Sequence, residues 1–361
     1  MKKYYTRVCN FNYGNSSAKL VEQKKNLPLN GNKKISFSDV EIITRNSKKI
    51  INIKNIKKLP KLLRDKINND IKVIVKKKKN FSNFNFKKIP NIMGIVNITP
   101  DSFSDGGKFN KKDKGINHAL SLLKSGADLI DVGGESTRPG SKAISLKEEF
   151  NRIEKVIKKI NKKIPLSLDT RKSEIMDRGI KMGVKLINDV SGLNYDPKTI
   201  EVLKKNKIPF VLQHSKGNPE NMQNNPKYKN ELLDIYDFFE EKIEFLRSKG
   251  IKHSNIIIDP GIGFGKNLKH NMNLIKGISI FHTLGFPILL GLSRKKFIKD
   301  LSGNNDTRER LGGTIASSLY SIMQGVQILR IHDVNELIQS IKVFKQLIKI
   351  WWEKNTLELM E

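Results

Sequence analysis

The feature that most constrains this chain is a repeat of short apolar runs and longer helical stretches, beginning near residue 91 and recurring eight times. The runs cover 91–99, 127–134, 164–170, 184–190, 208–215, 255–261, 286–293 and 326–333. Each has strand length, and amphipathic stretches follow, as in SLKEEFNRIEKVIKKI after the second and ELLDIYDFFEEKIEFLRSKG after the fifth. Eight β-α units in about 270 residues predict the α/β class, as a (β/α)8 TIM barrel with a basic N-terminal extension. A doubly wound open sheet is the alternative.

The polar residues fall in a regular place. Each run is apolar in its first half and ends in groups that a core would not choose: Asn97, Asp131, Asp169, Asn188, Gln213 with His214, Asp259, Ser293 with Arg294 and Lys295, then Arg330 with His332. In a barrel the C-terminal strand ends converge on one mouth, so these groups are expected to face a common pocket. A single such residue reads as a cap. A succession of them does not, because a buried charge without partner or ligand is costly.

In order, GIVNITPDSFSDGG (94–107), GADLIDVGGESTRPGS (126–141), LSLDTRK (166–172), INDVSG (187–192), IIDPGIGFGKN (257–267), GLSRKKFI (291–298) and RIHDV (330–334) resemble the successive signatures of dihydropteroate synthase. The resemblance spans essentially all of residues 91–361. It implies a transferase of folate biosynthesis, moving a dihydropterin-methyl group from its diphosphate onto the amino group of 4-aminobenzoate and releasing diphosphate.

The same resemblance implies roles for particular residues. Asp131, Asp169, Asn188, Asp259, Phe264 and Lys295 would surround the pterin. A carboxylate can accept two parallel N–H bonds from the ring's edge, and an amide matches either polarity. A helix N-cap after the strand is the plainer alternative for Asp169 or Asp259 taken singly. Thr137, Arg330 and His332 would bind the diphosphate, and Asn97 would hold a Mg²⁺ that helps to neutralise it. The polar loops 98–109 and 134–145 resemble the family's two mobile lids. Phe103, Ser104 and Asp105 from the first and Thr137, Arg138 and Pro139 from the second would enclose the aminobenzoate with Lys295. Asp101, Arg138 and Lys295 are the catalytic candidates, and Asp101 with Arg138 is the expected closing contact.

Two departures stand out. Ser215 follows His214 where the family often has Met, and Lys296 follows the Ser-Arg-Lys motif where a small polar residue is common. A pterin-binding methyltransferase would share the barrel and the carboxylates but would not need the two lids or the Ser-Arg-Lys motif.

Residues 1–90 are read as a separate lysine-rich extension or small accessory subdomain, and 91–361 as the catalytic domain. The extension holds 24 Lys+Arg against 5 acids, more than half of the chain's net charge of +32. Within it 38–45 and 48–56 read as two short strands, 59–79 as a basic amphipathic helix and 76–88 as a linker. A solvated face, the usual meaning of a charge run, is favoured over a nucleic-acid or membrane surface, and positive charge that is nearly all Lys amid abundant Asn and Ile is weak evidence for nucleic-acid binding. Cys9, the one cysteine, cannot form an internal disulfide. No apolar run marks a signal peptide or membrane span, so a cytoplasmic enzyme is expected. The expected partners are the two small substrates and a second copy of the chain. The apolar helix LIQSIKVFKQLIKIWW with Trp351 and Trp352 is a candidate contact.

Overall fold

The computed structural model describes residues 3–78, 89–99, 114–136, 140–217, 222–223 and 225–355, the last seven as backbone only. The N-terminal part is an antiparallel sheet. In it β1 (Tyr5–Tyr13) pairs with one edge of the long β3 (Asn32–Ile43), and β2 (Leu27–Leu29) and β4 (Lys48–Asn52) pair with the other. Helices α1 (Gly14–Glu22) and α2 (Lys61–Val75) complete it. Val8, Leu29, Phe37, Val40, Ile67 and Ile74 make its own buried core.

The expected strand at 38–45 is thus the second half of β3 and the turn after it. The strand expected over 48–56 stops at Asn52, whose side chain accepts the Lys54 N–H and starts a 3-10 turn over Ile53–Lys58. The helix is four residues shorter than expected at its C-terminal end. β1, α1 and β2 were not anticipated. β1 is buried on both faces in its first half, which removes the period-two alternation that marks a strand with one wet face.

Eight parallel strands follow: β5 (Asn91–Asn97), β6 (Leu129–Gly133), β7 (Leu166–Asp169), β8 (Leu186–Asp189), β9 (Phe210–Gln213), β10 (Ile256–Asp259), β11 (Leu289–Gly291) and β12 (Ile328–Ile331). The hydrogen-bonded order is β10-β9-β8-β7-β6-β5-β12-β11, and a single bridge from Ile258 to Ile288 joins β10 to β11 and closes the barrel. Among the described residues, nine helices surround it: α3 (Lys114–Lys124), α4 (Leu146–Ile160), α5 (Ser173–Lys181), α6 (Thr199–Asn206), α7 (Glu231–Ser248), α8 (Leu268–Lys276), α9 (Lys296–Ser302), α10 (Leu311–Met323) and α11 (Val334–Asn355). The expected TIM barrel is present. α4 shows how the sequence specifies a helix: Ser145 accepts the Glu148 N–H as N-cap, and Ile153, Val156, Ile157 and Ile160 bury one stripe.

The strands alternate between outward residues under the helices, such as Ile92, Val96, Ile130 and Val132, and inward ones. At the lower level the inward set is apolar: Met93, Leu129, Leu186, Val211, Ile257, Leu289 and Ile328 form a closed cluster. Burying each contributes about 1.5–3 kcal/mol. Two residues further along, five of these seven strands place a polar residue inward, Asp131, Asn188, Gln213, Asp259 and Arg330, so the same alternation that fills the barrel below builds a site above it.

The N-terminal unit sits on the opposite, lower end. Ser279 donates to the Val8 carbonyl (2.9 Å), and Tyr13 donates to the Met323 carbonyl (2.8 Å). Lys3, Arg45 and the Tyr5 hydroxyl converge on Asp237 of α7 at 2.6, 2.7 and 2.9 Å. Among the described residues, no helix is long and apolar enough to cross a membrane.

Candidate active site

Arg330 lies at the centre of the barrel mouth. Its Nε donates to Asp131 Oδ2 (2.6 Å) and its Nη2 to Asp169 Oδ2 (2.7 Å), while Asn188 Nδ2 donates to the same Asp131 oxygen (3.0 Å). Strands β6, β7, β8 and β12 therefore contribute to one hydrogen-bonded cluster, all of it buried or nearly so. The opposite wall comes from β10 and β11. Asp259 is 3% exposed and accepts the Gly261 N–H on Oδ1 (2.7 Å). Lys295 donates to the Ile262 carbonyl and places its ammonium 4.7 Å from the centre of the Phe264 ring. Gly291 of β11 lies beside it, with Lys295 Nζ within ordinary contact distance of where a Cβ would sit.

The cluster is incomplete in itself. Asp131 Oδ1, Asp169 Oδ1 and Asn188 Oδ1 are buried and accept no hydrogen bond from a described residue, although each belongs to a side chain whose other end is engaged. Leaving such an oxygen unpaired costs about 1–3 kcal/mol. Three on neighbouring side chains form an acceptor array that suits a flat ligand rich in N–H donors.

The electrostatics agree. Burial pushes the Asp169 carboxyl up to about 8, with Asp131 adding to the rise and Arg330 opposing it. Burial also raises Asp259 against the pull of Lys295. Lys295 is brought down to about 8 by burial, with Asp259 opposing. Burial thus draws these two carboxyls toward the protonated form and Lys295 toward the neutral one, with the opposite charges across the pocket resisting.

His332 lies just beyond β12, its Nδ1 2.9 Å from Ser293 Oγ, on the same side of the mouth as Lys295. Asn97 ends β5 half-buried, opposite Gly133 in register, and its carboxamide makes no hydrogen bond to a described residue. Asp101, Phe103, Ser104, Asp105, Thr137, Arg138 and Pro139 lie outside the described residues. Arg294 and Lys296 point elsewhere: Arg294 grips Asp333 with two nitrogens, and Lys296 is exposed and pairs with Asp300. Lys296 therefore adds no cation to the pocket. His214 is turned into the protein, where it meets Lys266 at 2.9 Å, and Ser215 bonds the Gly217 carbonyl.

The ends of the second loop are held by a network that the sequence did not reveal. Glu135 accepts the Ile144 N–H (3.0 Å), Lys172 Nζ (2.9 Å) and Arg171 Nε (2.9 Å). Lys172 also donates to the Ile144 carbonyl (2.7 Å) and to Glu149 (2.6 Å), which accepts from Thr170 (2.6 Å). Burial alone would raise the Glu135 carboxyl, but Lys172, the Ile144 N–H and Arg171 hold it below its ordinary range. The signal was the position of Lys172 and Arg171 just past the end of β7, where charged residues follow a buried strand.

A family model described as pterin binding enzyme matches residues 93–332. A curated dihydropteroate synthase of Synechocystis sp. is 39% identical over 262 residues, covering 72% of this chain and 91% of that protein. The Xanthomonas albilineans dihydropteroate synthase structure with 4-aminobenzoic acid is 37% identical, with a TM-score of 0.67, and the match covers 72% of this chain and 93% of that one. The structure of the same organism's enzyme with 7,8-dihydropteroate is 34% identical, with a TM-score of 0.66, over 73% and 95% of the two chains. With its barrel, its strand-end cluster and these matches, the chain belongs to the dihydropteroate synthase family of pterin-binding enzymes.

Proposed function

We propose that this chain condenses (7,8-dihydropterin-6-yl)methyl diphosphate with 4-aminobenzoate, and that the strand-end cluster is where the pterin binds. The observation that carries this reading is the trio of unpaired acceptor oxygens on Asp131, Asp169 and Asn188. A pterin edge offers amide and amino N–H donors in one plane, and docking it there satisfies all three. Asp259 supplies a further acceptor on the far wall, and Lys295, over Phe264, a donor for the ring's carbonyl or nitrogen.

In the chemical step the methylene–oxygen bond breaks, diphosphate leaves with both electrons, and the aniline nitrogen attacks the pterin-methyl carbon and then releases a proton. A pterin held by acceptors on its N–H edge becomes a better cation, because the carboxylates stabilise the positive charge that spreads over the ring. Arg330 and His332 are the groups we assign to the diphosphate. Arg330 would exchange a carboxylate partner for a phosphate oxygen, a comparable charge-assisted bond. The His332 ring is oriented for this by the contact of its Nδ1 with Ser293.

The donor chemistry at Asn97, one neutral oxygen without a hydrogen-bond partner among the described residues, fits Mg²⁺, an ion that takes few protein ligands and lets substrate phosphates complete its shell. Among the described residues, no group of three His, Cys, Asp or Glu could hold a metal without substrate. When bound, the ion would neutralise charge on the leaving diphosphate. Phe103, Ser104, Thr137, Pro139, Asp101 and Arg138 are assigned to the loops that enclose the aminobenzoate and exclude water.

The division at residue 90, the cytoplasmic location and the homodimer belong to the same proposal. For the dimer, a groove of about 810 Å³ between α8, α9 and α10 exposes Met272, Leu301 and Tyr320, an apolar surface that a second copy would cover. Sedimentation at graded concentration tests that. The activity itself is tested by diphosphate release. Release must require both substrates and vanish in Asp169→Ala and Lys295→Ala; folded protein that binds pterin but releases no diphosphate would favour a methyl-transfer barrel.

A further inference from the structure

Lys266 ends the glycine-rich run that follows β10, and it is 2% exposed. Among the described residues, no carboxylate pairs with it. Its Nζ instead contacts His214 Nδ1 (2.9 Å), the Phe264 carbonyl (2.8 Å) and the His214 carbonyl (3.4 Å). Three acceptors match the three N–H donors of an ammonium group. With Lys266 donating, His214 Nδ1 is the acceptor and its ring proton sits on Nε2.

Each of those contacts leads to the pterin wall. The Phe264 carbonyl belongs to the residue whose ring lies under the Lys295 ammonium. The His214 N–H donates to the Asp259 carbonyl (2.8 Å), so the end of β9 and the carboxylate of β10 are already tied. The run 261–265 lies on the backbone of 214–216 so closely that a Cβ at Gly261 would overlap the His214 carbonyl, and one at Gly265 the Lys216 carbonyl. Both glycines have positive φ, at 69° and 63°. A loop of such residues has little stiffness of its own; Gln223, Tyr228 and Asn271 hold it at Gly263 and Gly265, and Lys266 is the side chain that ties its end to His214.

We propose that Lys266 is a positioning residue for the pterin: acting through His214 and the Phe264 peptide, it fixes the wall carrying Asp259, Phe264 and Lys295. The proposal rests on the synthase reading of the site. A lysine without a carboxylate partner is a poor way to stabilise a core: burial pulls its ammonium well below the ordinary lysine range, and three neutral acceptors do not offset that. It is well suited to holding two backbone segments at a set distance.

The tie has a second consequence. His214 faces Lys266 from the β10 loop, Lys216 from its own segment, and the rings of Phe238 on α7 and Tyr228 before it, at 4.9 and 6.2 Å. Burial, then the charges of Lys266 and Lys216, hold its protonation well below the ordinary histidine range. Removing the Lys266 charge returns part of that range.

The test compares wild type, Lys266→Met, His214→Met and the double variant. Three quantities are read: affinity for a 6-hydroxymethyl pterin alone, the Michaelis constant for each substrate, and the NMR titration of the His214 ring. Lys266→Met is expected to weaken pterin binding and raise the Michaelis constant for the pterin diphosphate about 10- to 100-fold, while that for the aminobenzoate stays within about threefold. The His214 titration should move up from its wild-type position, while burial still holds it below the ordinary histidine range. If the single variant does not fold, the double variant replaces both polar side chains with apolar ones, so that the imidazole is not left without its donor; in it the Michaelis constant for the pterin substrate should still rise. Normal pterin affinity in either folded variant, equal change in both Michaelis constants, or an unmoved His214 titration overturns the proposal. Absence of substrate-dependent diphosphate release from wild type would instead overturn the synthase reading, while pterin affinity and the titration would still report on Lys266.

Discussion

Replacing Asp169 by asparagine separates what the pocket's charge costs the fold from what it does for the ligand. In the ligand-free protein, burial pushes this carboxyl up to about 8, with Asp131 adding to the rise and Arg330 opposing it. In an unfolded chain an aspartate titrates at about 3.9. Between those values the folded protein holds a proton that the unfolded chain has released. Stability from this group is therefore complete below about pH 4 and is lost as pH rises through about 8. At about 1.4 kcal/mol per pH unit, raising the pH from about 5.5 to about 8 costs about 3 kcal/mol. The asparagine that replaces it does not titrate. Urea unfolding at the two pH values should show the Asp169→Asn variant gaining about 3 kcal/mol relative to wild type, whatever fixed offset comes from losing the 2.7 Å bond to Arg330. Diphosphate release should fall about 100-fold or more, because an amide cannot serve Arg330 and a pterin donor with two acceptor oxygens, a loss of about 3 kcal/mol. A stability difference that is the same at both pH values would refute the reasoning that burial governs Asp169.

Lys295 should give the pterin affinity an alkaline limb at about pH 8, where its ammonium, brought down by burial, loses its proton; calorimetry across that range checks it, and Lys295→Met should remove the limb along with most of the affinity. Asp237→Ala breaks the contacts to Lys3, Tyr5 and Arg45. It is expected to lower stability by about 1–2 kcal/mol in a denaturant titration while kcat is unchanged, since partly exposed pairs are each worth at most about 1 kcal/mol. Lys172→Met leaves Glu135 and Glu149 buried without their shared cation, and thermal unfolding should report a loss of about 3–5 kcal/mol. Gly261→Ala, with its Cβ against the His214 carbonyl and φ at 69°, should yield little folded protein by circular dichroism.

The barrel was legible because its evidence is repeated: eight apolar runs, each followed by a helix, leave little freedom for another topology. The strand-end residues were legible for a related reason. Asp131, Asp169, Asn188 and Arg330 occupy inward positions where the alternation predicts aliphatic side chains, and only a site explains the exception. What the sequence hid were relations between distant residues. Lys266 and Lys172 read as ordinary lysines among 68 Lys+Arg, and only folding shows that each is buried against acceptors from another strand's loop. The N-terminal sheet was half hidden because β1 and β3 bury residues on both faces, so no clean alternation marks them. That Arg330 rests on two carboxylates in the ligand-free pocket was not visible either, since opposite charges on strands 161 and 199 residues apart carry no local signal.

The barrel is a hoop with one weak stitch. Seven of its strand junctions are hydrogen-bonded ladders, whereas β10 and β11 meet at the single bridge from Ile258 to Ile288. That junction separates the strand that ends in Asp259 from the one that leads to Lys295, the two halves of the pocket's far wall. The N-terminal unit holds both sides of this junction, at Asp237 of α7 before β10 and at Ser279 before β11. Residues 3–78 thus serve as a splint. For the hoop to spring open at its weak stitch, a second interface on the floor must part as well, and the alignment of Lys295 and Arg330 is guarded from the end of the barrel where no chemistry occurs.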